Sequence, residues 1–336
     1  MKTLRAGLLG LGMMGRHHAR VLRSLDGVNF VAAADPGGDR HKSAKDIAIY
    51  ESLDELIAAG IDYCVVAVPT AFHESAALHL AEAGVHALIE KPLAHDYDSA
   101  ARIASTFEQR GLVGGVGQIE RYNAAAQQAR LRIQAGEIGD VLQVSTRRQG
   151  PFPGRIADVG VVKDLGSHDI DLAAWITQQE YVSVSAATVF RSGRPHEDLV
   201  AITGKLSGGT LVNHLVNWLS PFKERTTTVT GEKGALLINT LTSDLTFYAN
   251  GSVPTAWEDL ARFRGMAEGD VIRYAFPKPE PLRTEHEAFR DAVLGVSDNH
   301  VSMREGLQVV AVSDAILSAS EAGEWIDCRR TRDGLL

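Results

Sequence analysis

The 336-residue sequence has few cysteines, no excess of positive charge and no long apolar run, and each absence excludes a class of protein. Only Cys64 and Cys328 are present, which excludes a disulfide framework and favours a reducing compartment, the cytoplasm. Lys and Arg number 34 against 42 Asp and Glu, a net charge of −8. That balance argues against nucleic acid and anionic membranes as partners. No apolar stretch approaches the ~18 residues of a membrane helix.

The composition that is present is typical of a folded protein with two domains. Apolar residues make up 45% and charged residues 23% of the chain, which are ordinary globular values. A chain of this length exceeds the usual size of one domain. The composition changes after Gly117, and no repeat or low-complexity linker interrupts the chain. We therefore predict one domain over residues 1–120 and a second over residues 121–336.

A glycine motif lies between a predicted strand and a predicted helix near the start of the chain. The apolar run Leu4–Leu9 leads into Gly10-Leu11-Gly12-Met13-Met14-Gly15, and a second apolar run ends in Asp35. In such units the glycines permit a tight turn, close approach of a pyrophosphate and close helix packing, in that order. The helix N-terminus then attracts the phosphates. Asp35 lies where a carboxylate binds the ribose of NAD and repels the 2′-phosphate of NADP, so NAD is predicted and NADP is the less favoured alternative.

Apolar strands and helical patterns alternate up to Gly117, which predicts an α/β, doubly wound parallel sheet of the Rossmann type. The strand at 63–68 ends in Pro69-Thr70-Ala71-Phe72-His73, and the strand at 87–89 ends in Glu90-Lys91-Pro92. Ligands of such sheets bind at the carboxyl ends of the strands. Both segments are therefore expected at the cofactor.

The glycine motif, Pro-Thr-x-x-His and Glu-Lys-Pro together resemble the glucose–fructose oxidoreductase/inositol dehydrogenase/MocA (Gfo/Idh/MocA) family. The resemblance implies that Lys91 reaches substrate and nicotinamide, that the Lys91–Pro92 peptide is cis, and that His73 lines the nicotinamide ribose. The cofactor contacts that it implies are Gly10, Gly12, Met13, Met14, Gly15, Asp35, Pro69, Thr70, His73, Glu90, Lys91 and Gln118.

The second half of the chain alternates like antiparallel strands between residues 142 and 248, and helical patterns close it at 281–294 and 303–322. We predict an α+β domain with a large, mostly antiparallel open sheet. In residues 210–219 neither face is purely polar. This suits either helices on one face with an oligomer contact on the other, or burial of both faces. The family resemblance implies a homodimer or homotetramer formed through this sheet.

Asp164 and His168 lie four residues apart, just before an apolar helix pattern. If the helix starts near Asp164, the two side chains share one face. The spacing resembles the family's Asp-x-x-x-His signature, which implies that His168 accepts the substrate proton and that Asp164 orients the catalytic groups. From the residues alone, Asp164 as a helix cap and His168 as a core residue is the more common arrangement. No metal site is predicted.

Two further segments, residues 117–123 and 150–161, resemble the subgroup that oxidises the 3-hydroxyl of UDP-N-acetylglucosamine, although Gln118 replaces the usual His. The implied function is NAD-dependent oxidation of a secondary hydroxyl of a sugar, at C3 of a nucleotide-linked hexose such as a UDP-sugar. The alternatives are an inositol or free-sugar dehydrogenase, an NAD-dependent glycosidase, and a non-catalytic NAD-sensing regulator. The implied substrate contacts are Lys91, Gln118, Arg121, Arg155, Lys163 and His168.

Overall fold

The computed structural model describes residues 2–152, 154, 159–251, 253–254 and 267–329. The chain divides into two compact units. The first comprises Met1–Ile119 and Glu280–Asp314, and the second comprises Glu120–Pro279 and Ala315–Leu336. The first of these divisions, between Ile119 and Glu120, lies one residue before the predicted boundary. Residues 280–314, however, which were predicted in the second domain, belong to the first unit.

The first unit is built on a six-stranded parallel sheet of order β3-β2-β1-β4-β5-β6. Its strands are β1 (Leu4–Leu9), β2 (Val28–Ala34), β3 (Ala48–Tyr50), β4 (Tyr63–Val66), β5 (His86–Glu90) and β6 (Gly114–Gly117). The central strands are continuous apolar runs because a parallel sheet is covered on both faces. The strand order reverses between β1 and β4, and their carboxyl ends therefore flank the crevice where such sheets bind ligands.

Eight α-helices are described. They are α1 (Gly15–Leu22), α2 (Leu53–Ala58), α3 (His73–Glu82), α4 (Tyr97–Gln109), α5 (Ala124–Gln134), α6 (Ser167–Thr177), α7 (Pro281–Val293) and α8 (Met303–Ala322). Side chains fix several of their starts, since Ser52 and Glu55 form a reciprocal capping box at α2 and Asp96 accepts the Ser99 amide at α4.

Helix α7 completes the core of the first unit, which explains why its residues belong there. Phe289 lies in the same buried cluster as Leu8 and Ala33, and its ring meets that of Tyr63 at a centroid distance of 5.6 Å. Burial of an aromatic side chain contributes about 1.5–3 kcal/mol. The apolar periodicity of residues 281–294 predicts the helix, but it does not identify the sheet on which the helix packs.

The second unit is built on a nine-stranded sheet of order β16-β13-β12-β11-β7-β10-β9-β8-β17. All neighbours are antiparallel except β7 and β10. A separate two-stranded sheet pairs β14 with β15. The strands are β7 (Val141–Pro151), β8 (Tyr181–Val189), β9 (Leu199–Leu206), β10 (Leu211–Asn217), β11 (Leu219–Gly231), β12 (Gly234–Asn239), β13 (Asp244–Ala249), β14 (Val253–Pro254), β15 (Ala267–Glu268), β16 (Val271–Arg273) and β17 (Ile326–Asp327).

Strand β10 distinguishes the two faces of this sheet. Val212, His214 and Val216 are buried, whereas Leu211 is exposed and Asn213 is half-buried. Within the single chain the structure therefore favours one covered and one open face. Over the described ranges, no helix combines the length and the apolar character that crossing a bilayer requires.

Candidate active site

The glycine motif forms a turn between β1 and α1 in which each glycine has a different reason to lack a side chain. Gly10 adopts φ +95°, and a Cβ there would lie 2.6 Å from the Ala67 carbonyl oxygen. At Gly15 a Cβ would lie 2.0 Å from the Gly10 oxygen, whereas at Gly12 it would meet nothing within 4 Å. Gly10 and Gly15 are thus required by the fold, and Gly12 leaves open space. Helix α1 begins beyond this space, and no side chain caps its start. The amides at its N-terminus can therefore donate hydrogen bonds to phosphate oxygens.

Asp35 is fixed at the end of β2 by two backbone amides. Its Oδ2 accepts the Leu11 amide at 2.7 Å, and its Oδ1 accepts the Gly37 amide at 2.7 Å. Each carboxylate oxygen has a second lone pair for a ribose hydroxyl. Asp35 also lines a cavity of about 470 Å³ together with Gly12 and Pro69. The open space at Gly12 and the oriented carboxylate fit the pyrophosphate and ribose of NAD.

His73 connects the ends of β4 and β5. Its Nε2 lies 3.0 Å from the Val68 oxygen, and its Nδ1 lies 2.9 Å from the Pro92 oxygen. Burial lowers the pKa of this ring, although both carbonyls act in the opposite direction. His73 is almost fully buried, so the structure gives it a bracing role between the two turns. Its implied contact with the nicotinamide ribose stays a prediction.

Lys91 follows β5 in a turn that contains a cis Lys91–Pro92 peptide, as the resemblance implied. The Lys91 amide donates to Glu90 Oε2 at 3.2 Å, and Glu90 Oε1 lies 2.8 Å from His18 Nε2. Burial would raise the pKa of Glu90, but His18, Lys91 and His73 together lower it. A carboxylate therefore stands immediately beside the proposed catalytic lysine.

Gln118 lies just after β6 and is almost fully buried. Its Oε1 atom has no hydrogen-bond partner among the described residues. A buried acceptor without a donor is unfavourable by about 1–3 kcal/mol. This atom is therefore well suited to receive a donor from a bound molecule, and the cofactor and substrate contacts expected of Gln118 stay predictions.

A π-helical turn at Val162–Gly166 carries Lys163 and Asp164 in the second unit. Its start is fixed by Glu197, whose Oε1 accepts the Val162 amide at 2.9 Å and whose main-chain oxygen accepts the Val161 amide at 3.1 Å. A Cβ at Gly160 would lie 2.0 Å from the Glu197 carboxylate, so any larger residue there would displace this side chain from the Val162 amide. Such π turns often mark functional sites.

Asp164 lies in this turn and His168 lies in the first turn of α6, which starts at Ser167. The expectation of a regular helix beginning near Asp164 therefore needs correction, because the wider π turn precedes α6. Both side chains are buried, with exposed fractions of 6% for Asp164 and 9% for His168. Lys163 is equally shielded, at 9%. Three polar groups of one short segment are thus largely withdrawn from solvent.

Two buried ion pairs hold α6 in place. Arg121 makes two hydrogen bonds to Asp171, at 2.7 and 2.6 Å, and Arg148 bonds Asp169 at 2.8 Å and Glu120 at 2.7 Å. Burial alone would lower the pKa of Arg148, but the two carboxylates raise it. Arg121, which was predicted as a substrate contact, thus has a bidentate structural partner in Asp171, and its contact with substrate stays a prediction. Arg155 lies outside the described residues.

Arg194 forms a cluster with two aromatic residues of the second unit. Its guanidinium lies 4.5 Å from the ring centroid of Phe152 and 4.8 Å from that of Trp218, and it pairs with Asp198. Asp198 also accepts the amides of Arg191 and Ser192. This cluster stabilises the loop that carries Glu197, and no sequence motif indicates it. Within the described ranges, no group of three His, Cys, Asp or Glu side chains could hold a metal ion.

Comparison with family models matches residues 4–118 to an oxidoreductase family with an NAD-binding Rossmann fold. It matches residues 126–237 to a GFO/IDH/MocA C-terminal domain. The chain belongs to the Gfo/Idh/MocA family. The first unit therefore contains the NAD-binding Rossmann domain of that family, and the second contains its partner domain. The glycine turn, Asp35 and Lys91 lie in the segment matched by the first model, and Lys163, Asp164 and His168 lie in the segment matched by the second.

Several members of this Gfo/Idh/MocA family are similar to the chain. UDP-N-acetylglucosamine 3-dehydrogenase of Acidithiobacillus ferrooxidans is 33% identical over 219 residues, which are 63% of this chain and 66% of that protein. The scyllo-inositol 2-dehydrogenase (NAD(+)) of Bacillus subtilis is 31% identical over 195 residues, 54% of this chain and 56% of that protein. The matched segments thus span just under two thirds of these relatives or less. A solved structure of the A. ferrooxidans enzyme has a TM-score of 0.83 at 26% identity, covering 96% of this chain and 99% of that one.

Proposed function

We propose that this chain is an NAD-dependent dehydrogenase that oxidises a secondary hydroxyl, at C3, of a nucleotide-linked hexose such as a UDP-sugar. Two observations, one in each unit, carry the proposal: Lys91 stands beside Glu90 at the end of β5, and Asp164 and His168 are shielded from solvent near the start of α6. The first group belongs to an NAD-binding domain, and the second provides an acid–base pair. When bound, NAD supplies the hydride acceptor.

Each of the three side chains has a distinct role in this proposal. His168 accepts the proton of the substrate hydroxyl, which suits an imidazole near neutral pH. Lys91 donates a hydrogen bond to the same oxygen and stabilises the negative charge that develops on it. Asp164 orients this pair. The shielding of Asp164 and His168 from water strengthens their electrostatic interactions.

The nucleotide-linked substrate class rests on Lys163 and on the similarity to UDP-N-acetylglucosamine 3-dehydrogenase. Lys163 directly precedes Asp164 and is shielded, so its charge would act on a bound diphosphate with little screening. Arg155, in the segment that resembles the nucleotide-sugar subgroup, is proposed as a second phosphate contact. The 31% identity to an inositol dehydrogenase favours a second candidate, oxidation of a free polyol with the same residues.

The catalytic assignment predicts that Lys91→Ala and His168→Ala each lower kcat by roughly 10²–10⁴-fold, the range for a positioned acid–base group. The affinity for NAD should change far less, since the glycine turn and Asp35 are intact. Lys2→Ala, at an exposed position just before β1, is the matched control and should retain full activity. An active His168→Ala enzyme with an unaltered pH profile would remove His168 from the base role.

The substrate assignment is tested by following NADH formation with UDP-hexoses, free hexoses and inositols. UDP-hexoses should be oxidised most efficiently, and Lys163→Ala and Arg155→Ala should raise KM for them much more than for free sugars. Equal turnover of free inositol, with no penalty from either substitution, would favour the polyol dehydrogenase. Net hydrolysis of a glycoside without net NADH would indicate glycosidase chemistry, and NAD binding without turnover of any sugar would indicate a regulator.

We further propose that the chain forms a homodimer or homotetramer through the open face of its nine-stranded sheet. This face presents Leu211, which is 45% exposed, next to Gln143 and Lys205 on the neighbouring strands. Leu211→Glu should reduce the mass measured by light scattering if the face is an interface.

A cytoplasmic location is supported by the two cysteines, which are buried free thiols.

A further inference from the structure

Two histidines outside the proposed catalytic set lie in a row behind Glu90. His18 on α1 places Nε2 2.8 Å from Glu90 Oε1 and Nδ1 2.9 Å from Nε2 of His286 on α7. Both rings are 1% exposed. They join a helix that follows the glycine turn, a helix from the far end of the sequence and the strand end that carries Lys91. We call His286, His18 and Glu90 the histidine row.

The direction of the hydrogen bonds in the histidine row follows from one atom at its end. His286 Nδ1 is buried and has no partner among the described residues. Buried N–H donors without a partner are rarer than buried acceptors without one, so this nitrogen carries the lone pair. The proton of His286 is therefore on Nε2 and is donated to His18 Nδ1. His18 must then carry its own proton on Nε2, where it faces Glu90.

The Glu90 end of the row fits the same direction. Burial would raise the pKa of Glu90, but the hydrogen bond from His18 and nearby charges lower it, so Glu90 is a carboxylate and can only accept. Burial also lowers the pKa of His286 well below its ordinary value, which keeps that ring neutral. A reversed row would leave a buried donor at His286 and would require a protonated Glu90.

We propose that His18 and His286 are positioning residues that hold Glu90 as an oriented carboxylate, whose second oxygen fixes the backbone amide of Lys91. The inference rests on the proposed function only for its effect on turnover. His286 fixes the tautomer of His18, His18 fixes Glu90 through Oε1, and Glu90 Oε2 accepts the Lys91 amide at 3.2 Å. Three hydrogen bonds thus lead from α7 to the catalytic lysine.

The ionisable groups around Glu90 determine how this arrangement responds to pH. His18 faces it from α1, His73 from α3, Lys91 follows it in the chain, and Glu285 faces it from α7. Burial and the Glu90 charge raise the pKa of Glu285 well above its ordinary value, which favours its neutral form. On the other side of the row, His17 and His286 face His18. Glu90 is therefore the negative charge of this cluster, and His18 is its hydrogen-bond donor.

The test compares two substitutions of His18. In His18→Gln the amide nitrogen can still donate to Glu90, whereas His18→Leu keeps the volume and removes the donor. We expect His18→Leu to lower kcat roughly 10–100-fold, as a small displacement of a catalytic group does. As the pH is lowered, this variant should also lose activity at a higher pH than the wild type does, because without His18 the pKa of Glu90 rises. His18→Gln should recover most of kcat and the wild-type profile.

Ring-nitrogen NMR of the apo protein, labelled with ¹⁵N in its histidines, tests the row without any substrate. Spectra of His18→Gln and His286→Gln assign the two rings, and both should be neutral with the proton on Nε2. A proton on Nδ1 of either ring, or an imidazolium, would overturn the inference. If His18→Leu does not fold, His286→Leu and His286→Gln repeat the comparison, with the same recovery expected for Gln.

The outcomes separate this inference from the proposed function. If the wild type oxidises no sugar or polyol, the proposed function fails, and the ring spectra still decide the direction of the row. If the wild type is active but the Leu and Gln variants are equally impaired with unshifted pH profiles, the positioning role of the row fails alone.

Discussion

The glycine turn allows the requirements of NAD binding to be separated from those of folding with two single-methyl substitutions. At Gly12 an added Cβ meets nothing within 4 Å and φ is not positive, so Gly12→Ala should leave the free energy of unfolding unchanged or raise it by about 0.4–1 kcal/mol. The methyl group would occupy the space that the pyrophosphate needs. We expect a loss of NAD affinity of at least tenfold, about 1.4 kcal/mol.

Gly15→Ala provides the contrast. Its Cβ would lie 2.0 Å from the Gly10 carbonyl oxygen, so α1 or the turn must shift, at about 1–3 kcal/mol for such overpacking. Thermal melts of the apo proteins measure stability, and titration of protein fluorescence with NAD measures affinity. If Gly12→Ala binds NAD as tightly as the wild type, or loses stability to the same extent as Gly15→Ala, then the open space at Gly12 is not the pyrophosphate site.

Three further predictions concern the cofactor, pH and the ion pairs. In binding titrations, Asp35→Ser should weaken the binding of NAD and improve the binding of NADP relative to NAD. A wild type that binds NADP tenfold more tightly than NAD would contradict the role of Asp35. Burial lowers the pKa of His214 to about 3, so between there and the ordinary value of ~6.5 the unfolded chain binds more protons than the folded one. Stability therefore rises with pH across this window, by at most about 1.4 kcal/mol per pH unit. His214→Gln should flatten this dependence in urea unfolding, and an unchanged slope would refute it. Asp169→Asn should lower the free energy of unfolding by about 3–5 kcal/mol because Arg148 keeps only Glu120, whereas the exposed Asp298→Asn should have no effect.

Local sequence patterns were sufficient where local physics determines the structure. The alternation of strands and helices, the glycine turn and the helices near residues 281 and 303 followed from periodicity and turn chemistry. The parallel sheet of the first unit and the mostly antiparallel sheet of the second were predicted correctly. The cis Lys91–Pro92 bond came from family resemblance, since a proline permits that isomer without requiring it.

The features that sequence reasoning missed depend on partners far away in the chain. The π turn at Val162–Gly166 begins at amides bound by Glu197, 35 residues from Val162, and no periodicity contains that contact. The sequence shows that Arg121 is cationic, but not that Asp171, 50 residues away, receives its guanidinium. His18 and His286 are separated by 268 residues. An alternating pattern identifies which side chains are buried, and it does not identify what they meet.

The division of the first unit between two separate segments has a consequence for synthesis on the ribosome. The 160 residues from Glu120 to Pro279 are translated after the six strands of the Rossmann sheet and before α7, which supplies Phe289 to their core. At about 5–20 residues per second, this leaves the sheet without that side chain for roughly 10–30 s. During this interval Tyr63 and the neighbouring apolar side chains lack their cover. The nascent N-terminal segment is thus a natural client for a chaperone, and the second unit in turn is completed only when its last segment, which includes β17, has been translated.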